Sequence, residues 1–307
     1  MNILITGSAG FIGKHLVKKL AKNKKNKIFA LDKNKTFFKE KNVKFIKKDL
    51  SEKVNLPKLK NVEFAYHLAG QSSAEKSEED PVQDYKDNVL STINFCRWAK
   101  NQKKLKVCFF SSSMAVYGDV VKKKIVLSPN SIYGYSKLIA EQIFLSLKNH
   151  NKVVKILRLF NVYGEGQNLL NMKQGMISIY LAQILSNKYK KIYVKGSLGR
   201  TRDLIHVEDV VNIMTSAKFI KNRKEIFDVG SGKEISVLQI IKKLKKIFKS
   251  NKKIKIQEQT KGDIFKSKMK DRFLKKIGLF SRISLEKRLV KMKNFYESNS
   301  NTYRKKK

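Results

Sequence analysis

The sequence predicts an α/β protein in which a doubly wound parallel sheet carries a smaller C-terminal α/β lobe. Three observations lead there. Short apolar runs without polar alternation, such as Ile3-Leu4-Ile5 and Val107-Cys108-Phe109-Phe110, read as strands buried on both faces. These runs alternate with stretches of helical period, the rhythm of strand-helix-strand units. A glycine-rich turn follows the first run at once.

Taken in order, Asn2–Thr6 is the first strand, and Gly7-Ser8-Ala9-Gly10-Phe11-Ile12-Gly13 leads into a helix expected over 14–22. Glycines between strand and helix let the backbone approach a pyrophosphate, which the helix N-terminus then favours. Gly7, Gly10 and Gly13 are the candidates, spaced Gly-x-x-Gly-x-x-Gly. The second strand, 27–31, ends in Asp32, 19 residues beyond Gly13. A carboxylate there accepts both ribose hydroxyls of NAD and repels the 2′-phosphate of NADP, an exclusion that Lys33 and Lys35 soften. The third strand, 43–46, leads to Asp49-Leu50, an expected adenine contact. The fourth, 64–70, ends small at Leu68-Ala69-Gly70, where a cofactor would pass, and its His67 reads as a hydrogen-bonded core residue. An acidic loop over 75–80, a helix around 88–94 and a fifth strand over 106–110 follow.

The serine run Ser111-Ser112-Ser113 succeeds that strand, and Tyr133-Gly134-Tyr135-Ser136-Lys137 opens a helix expected over 136–148. Tyr133 and Lys137 then share one helical face. A tyrosine titrates near ~10, and a positive charge within ~4–6 Å lowers that by roughly 1–3 units, bringing a phenolate within reach at neutral pH. Such a phenolate takes the proton of an alcohol while hydride leaves the same carbon, and the Ser113 hydroxyl holds the oxygen in line.

Composition sets limits. A chain of 307 residues with a hydrophobic fraction of 41% holds a large core. The expected localisation is cytoplasmic: the N-terminus shows no leader pattern, no apolar run approaches the ~18–20 residues of a membrane helix, and Cys96 and Cys108 read as reduced core thiols. No metal-ligand spacing is present. The net charge of +43 is nearly all lysine, spread from Lys14 to Lys307, so it reads as a solvated surface rather than a specific nucleic-acid site.

The set Thr-Gly-x-x-Gly-Phe-Ile-Gly, His-Leu-Ala, Ser-Ser-Ser-x-x-Val-Tyr-Gly and Tyr-x-x-x-Lys, in this order, resembles the extended short-chain dehydrogenase/reductase superfamily. Within it the chain is most similar to NAD-dependent nucleotide-sugar epimerases, the UDP-glucose 4-epimerase group. Downstream, Arg158-Leu159-Phe160-Asn161-Val162-Tyr163-Gly164, the stretch Arg202-Asp203-Leu204-Ile205-His206-Val207-Glu208-Asp209-Val210 and Ile226-Phe227-Asp228-Val229-Gly230 continue the match, which spans about 1–297.

The resemblance implies a Rossmann-type NAD-binding domain over 1–160 rejoined at about 204–230, a substrate lobe over about 161–203 and 231–297, and a disordered basic tail from 298. It implies that Phe11, Ile12, Asp32, Asp49, Leu50, Asn88, Ser111, Ser113, Tyr133, Lys137 and Phe160 line the dinucleotide. Asn161 and Arg202 would meet the diphosphate of a UDP-sugar substrate, or Arg202 would instead pair with Asp203; Gln174-Gly175-Met176 approaches the sugar or base. It also implies a homodimer through the helices at 88–100 and 136–149, although Leu138, Ile139, Ile143 and Phe144 would serve equally against the sheet.

Departures bear on the substrate. Lys261 stands before Gly262-Asp263 where an arginine is usual, Ser91 where glycine is common, and His206 where tyrosine is common. The superfamily's dehydratases and decarboxylases place acidic residues just before Val-Tyr-Gly; here Met114-Ala115 stands there. The expected activity is therefore 4-epimerisation through a 4-keto sugar. The alternatives are an NAD(P)H-dependent reductase of a nucleotide-linked 4-ketosugar and, more distantly, a non-catalytic dinucleotide- or polyanion-binding protein.

Overall fold

The computed structural model describes residues 1–52, 56–118, 127–258, 264–269, 271–279 and 283–299. Segment 259–263, with Lys261, and the tail from 300 lie outside them. The chain opens with β1 (Asn2–Thr6), α1 (Phe11–Ala21), β2 (Lys27–Asp32), β3 (Val43–Lys47) and β4 (Phe64–His67). It continues through α2 (Ala74–Glu79), α3 (Pro81–Tyr85), α4 (Ser91–Lys100), β5 (Val107–Ser113), α5 (Ile132–Leu145) and β6 (Val153–Leu159). Next come β7 (Asn161–Tyr163), α6 (Met176–Leu185), β8 (Lys191–Lys195), β9 (Thr201–His206), α7 (Val207–Thr215), α8 (Ala217–Ile220) and β10 (Ile226–Val229). The last described elements are β11 (Glu234–Ser236), α9 (Val237–Ile247), β12 (Lys253–Gln257), α10 (Phe273–Lys276) and α11 (Leu285–Ser298).

Seven strands form one parallel sheet in the order β10-β6-β5-β4-β1-β2-β3. Such sheets need both faces covered, which explains the unbroken apolar runs. Leu16 and Val17 of α1 and Val210 and Met214 of α7 share one core cluster with Ile3, Ile5 and Phe109. Phe95 and Trp98 of α4 and Ala140 and Phe144 of α5 share the other with Leu4, Cys108 and Phe110. Strand order reverses between β1 and β4, so the crevice beyond their carboxyl ends is the switch point where doubly wound sheets bind ligands.

A second set of elements carries β11-β9-β7 and β12-β8. Its core joins Tyr180 and Leu181 of α6, Ile192 and Val194 of β8, Ile240 and Leu244 of α9, and Leu289 and Met292 of α11. A capping box between Ser236 and Gln239 starts α9.

Several boundaries differ from the sequence reading. The first helix begins at Phe11, because Gly10 already adopts the extended N-cap conformation. The fifth strand runs on through the serines to Ser113, and the helix bearing Tyr133 begins before it, at Ile132. The fourth strand stops at His67, and Gly70 takes φ 151° beyond it. The acidic loop is helix α2, started by the Ser73 hydroxyl, which accepts the Lys76 amide at 3.3 Å. Between α3 and α4 the backbone winds once as a π-turn over Lys86–Leu90, with the Ser91 N–H donating to the Lys86 carbonyl five residues back.

Candidate functional site

At the switch point lies a cavity of about 190 Å³. The loops after β1 (Gly7, Gly10), β2 (Asp32), β3 (Asp49, Leu50) and β4 (Leu68, Ala69, Gly70) all line it. Gly7 is required by shape: its φ is +69°, and a Cβ would lie 2.5 Å from the Leu68 carbonyl carbon. At Gly13, in the first turn of α1, a Cβ would stand 2.1 Å from the Gly7 oxygen. Phe11 and Ile12 are half-buried in the same turn. This backbone cradle, with a carboxylate opposite it, fits a dinucleotide. Gly13→Val is expected to abolish NAD retention on purification, checked by the absorbance of released NAD; a variant that retains stoichiometric NAD would contradict it.

Asp32 is buried and braces the glycine turn, accepting the Ala9 amide at 2.9 Å and the Asn34 amide at 2.8 Å. Lys33, expected to soften the discrimination against NADP, pairs with Asp87 at 2.8 Å and Asp49 at 3.8 Å. Hydrogen bonds from Ser51, after burial's opposing push, leave the Asp49 carboxyl below its ordinary value. Lys48, Ser51, Asp87 and Ser91 also line the cavity; sequence reading assigned none of them to it.

His67 is a core residue. Its Nδ1 lies 2.8 Å from the Thr6 hydroxyl and its Nε2 3.1 Å from the Thr92 hydroxyl, with Phe95, Phe110 and Phe144 stacked around it. Burial lowers its pKa to about 3, so it stays neutral.

The carboxyl end of β5 brings Ser113 next to α5. Three side chains satisfy the first amides of that helix: Glu78 takes Ile132 N–H at 3.0 Å, Ser77 takes Tyr133 N–H at 3.0 Å, and Ser131 takes Gly134 N–H at 3.1 Å. Tyr133 is thereby fixed, with Lys137 one turn on and both buried. The Lys137 Nζ lies 4.5 Å from the centre of the Phe110 ring. Ser111 donates to the His67 carbonyl at 3.4 Å, and Asn88 is buried, donating to the Ser136 hydroxyl at 3.1 Å.

The charge balance corrects one expectation. Burial raises the Tyr133 phenol to about 12; the Ser113 hydroxyl pulls it down and Asp84 pushes it up. Burial likewise lowers Lys137 to about 8, against the pull of Glu141 and Asp84. Desolvation outweighs the helical-neighbour effect that the Tyr-x-x-x-Lys spacing suggests, so the protein's own charges leave the phenol protonated at neutral pH.

A buried network anchors this helix. Arg158 donates from Nε and Nη2 to the two oxygens of Glu141 at 2.9 and 2.6 Å, and from Nη1 to the Tyr117 hydroxyl at 2.8 Å. Tyr117 in turn donates to Asp228 at 2.6 Å, and Ser112 to Glu141 at 2.5 Å. Sequence reading placed Arg158 only within a matching segment. Its arginine four residues beyond a buried strand's first apolar pair was the available signal.

The remaining expected residues lie toward the second set of elements. Phe160 is buried in the core beside Val229. Asn161 donates to the Asp203 carbonyl at 3.2 Å and to the Ser267 hydroxyl at 3.4 Å. Arg202 is buried, donating to the Ile264 carbonyl at 2.7 Å. Asp203 accepts from Ser231, Gly232 and Met269 amides at 2.6–2.9 Å. Segment 171–175 reaches the loop after β4: the Ser73 hydroxyl donates to the Lys173 carbonyl at 2.7 Å, Gln174 to the Ser72 hydroxyl, and Lys173 pairs with Glu79. Met114 and Ala115 form an apolar, buried 3₁₀ turn directly after Ser113. His206 is buried with Nε2 3.2 Å from Glu165.

No helix among the described residues is long and apolar enough to cross a membrane. Among them no group of three or more His, Cys, Asp or Glu side chains could hold a metal ion.

Residues 3–230 match the family model described as the NAD dependent epimerase/dehydratase family. A Methanocaldococcus jannaschii protein provisionally named UDP-glucose 4-epimerase is 33% identical over 98% of this chain and 100% of its own. A dTDP-4-dehydro-6-deoxyglucose reductase from Escherichia coli is 30% identical over 82% of each chain. The solved UDP-glucose 4-epimerase of Thermotoga maritima with UDP-glucose superposes with a TM-score of 0.85 at 26% identity, covering 98% of this chain and 100% of that one.

Proposed function

Because this chain belongs to the NAD-dependent epimerase/dehydratase family, we propose that it interconverts the C4 epimers of a UDP-hexose through a transient 4-keto sugar. The observation that carries the reading is Tyr133 and Lys137 one turn apart on α5 with Ser113 beside them, at the carboxyl end of β5, the strand next to β4 in the sheet whose β1–β4 loops frame the nucleotide cavity. Gly7, Gly10, Phe11, Ile12 and Gly13 would hold the pyrophosphate, Asp32 the adenosine ribose, and Asp49 and Leu50 the adenine. Leu68, Ala69, Gly70, Asn88, Ser111 and Phe160 would line the remainder. NAD, when bound, supplies a hydride acceptor and a positive nicotinamide ring.

Tyr133 takes the proton of the C4 hydroxyl and later returns it, while Ser113 holds the oxygen as it becomes a carbonyl. Lys137 supplies the cation that favours the phenolate. Asn161 and Arg202 grip the diphosphate, so that the sugar turns while its anchor stays. The apolar Met114-Ala115 turn supports epimerisation over water elimination or decarboxylation, since no carboxylate stands at that place.

The reductase relative supports a second reading, in which the same three side chains protonate a 4-ketosugar at the expense of NAD(P)H. The two separate cleanly. Proton NMR of the full chain with UDP-galactose, UDP-N-acetylgalactosamine and UDP-galacturonate should show a new anomeric signal with no reduced cofactor consumed. Silence on all three with NAD supplied, or stoichiometric oxidation of NAD(P)H by a 4-ketosugar, would displace the epimerase reading.

The reading includes a division of labour, with 1–160 and about 204–230 holding NAD and the intervening and final segments holding the sugar nucleotide. It also includes a homodimer. Phe144 is buried against the sheet, but Tyr135 and Ile139 on α5 are exposed, as are Val82 and Tyr85 beside an apolar groove of about 390 Å³ along α3 and α4. Light scattering of the purified chain reads the stoichiometry directly.

A further inference from the structure

Lys137 is fully buried, and among the described residues its Nζ has no hydrogen-bond acceptor; the Phe110 ring is its neighbour. Two buried carboxylates flank it. Glu141 is occupied, bound by both arms of Arg158 and by Ser112. Asp84 is not. It is 1% exposed, and its Oδ1 accepts from Gln71 at 2.6 Å and from Asn88 at 3.1 Å. Its Oδ2 is buried without a hydrogen-bond partner among the described residues, as is the Oδ1 of Asn88.

The other charges around Asp84 are engaged elsewhere. On α2, Glu75 pairs with Lys195, Glu78 receives the Ile132 amide and Glu79 pairs with Lys173. In the π-turn after its helix, Asp87 pairs with Lys33. Burial pushes the Asp84 carboxyl up, against hydrogen bonds from Ser136, Gln71 and Asn88 and the positive charge of Lys137. A physical link joins the two groups. Asn88 donates to both Asp84 and Ser136, and Ser136, the residue before Lys137, donates to the Tyr133 carbonyl at 3.0 Å.

We propose that Asp84 is the counter-charge of Lys137 and, through Asn88 and Ser136, a positioning residue for the Tyr133–Lys137 pair, setting the pH window in which that pair works. This deepens the functional reading above and rests on it for its relevance to turnover. The positioning link stands on the hydrogen bonds from Asn88 to Asp84 and Ser136 and from Ser136 to Tyr133, between buried groups. Removing the Asp84 charge takes away a group that raises both neighbours, so both titrations move to lower pH.

The test uses the full chain with NAD present and lysine labelled with ¹³C at Cε. Lys137, lowered to about 8, should titrate apart from the other lysines, its signal identified by loss in Lys137→Met. In Asp84→Asn, which keeps the Oδ1 acceptor, the midpoint should fall, the direction of a lost opposite charge. Asp84→Glu should restore part of it. Should Asp84→Asn fail to fold, the wild-type Asp84 carboxyl resonance should show a second inflection at the pH where Lys137 titrates. An unmoved Lys137 midpoint, or no such inflection, overturns the proposal whatever the enzyme turns over. If turnover is found, its pH profile should move to lower pH in Asp84→Asn. No turnover on any sugar nucleotide sinks the functional reading and leaves the NMR result standing.

Discussion

Tyr133→Phe should lower turnover by roughly 10²–10⁴-fold, the usual contribution of a positioned acid-base group. The substitution removes one oxygen and keeps the ring, which is packed at 8% exposure, so the fold and the affinity for UDP-sugar should stay near those of the parent. The pH dependence of the parent follows from the two shifts. The active form needs Tyr133 deprotonated and Lys137 protonated. Burial raises the phenol and lowers Lys137 to about 8, so from the protein's own charges the required form is a minor one: turnover rises with pH as the pair gives up its first proton and falls once both groups are deprotonated. NAD, when bound, would add a positive ring that favours the phenolate. Initial rates across pH for both proteins check this. A Tyr133→Phe enzyme within about tenfold of the parent, well short of that range, would remove the phenol from the chemistry.

Glu141→Leu should be the most damaging change to stability. It strands the Arg158 guanidinium, whose other described contacts are the Tyr117 hydroxyl and ring, in a site where the arginine side chain is 8% exposed. Breaking a buried pair by removing one partner costs roughly 3–5 kcal/mol, a large part of the ~5–15 kcal/mol that holds a domain together. The unfolding free energy from urea titration should fall by that amount. The double variant Glu141→Leu with Arg158→Leu should recover much of it, since no unpaired charge remains. A loss under about 1 kcal/mol, the range of a surface pair, would contradict the account.

Much of the frame was legible because strand burial and the glycine turn leave local marks. Ile3-Leu4-Ile5, with a glycine turn directly after it, reads as a strand covered on both faces, and Gly7 and Gly13 mark where the backbone must come close. Boundaries were less legible, since caps lie in three dimensions: Ser77 and Glu78 start α5 from another helix, so the sequence around Tyr133 alone puts its start too late. The acidic stretch after Ser73 read as a loop because its helix is only 6 residues long. The push that burial exerts on the phenol was hidden for a similar reason. Spacing reveals that Lys137 is a neighbour, but how deeply both groups are buried, and that Asp84 faces them from another helix, depends on tertiary packing.

The π-turn over Lys86–Leu90 carries one residue more than a regular helix would need there. Deleting a single residue from it would heal the helix and swing everything on its N-terminal side by about 100° relative to α4, one residue's rotation. Asp84 would then leave Asn88 and point elsewhere. The irregularity thus acts as a genetic wedge: an insertion or deletion of one residue along this stretch dismantles the helix-to-helix link in a single event.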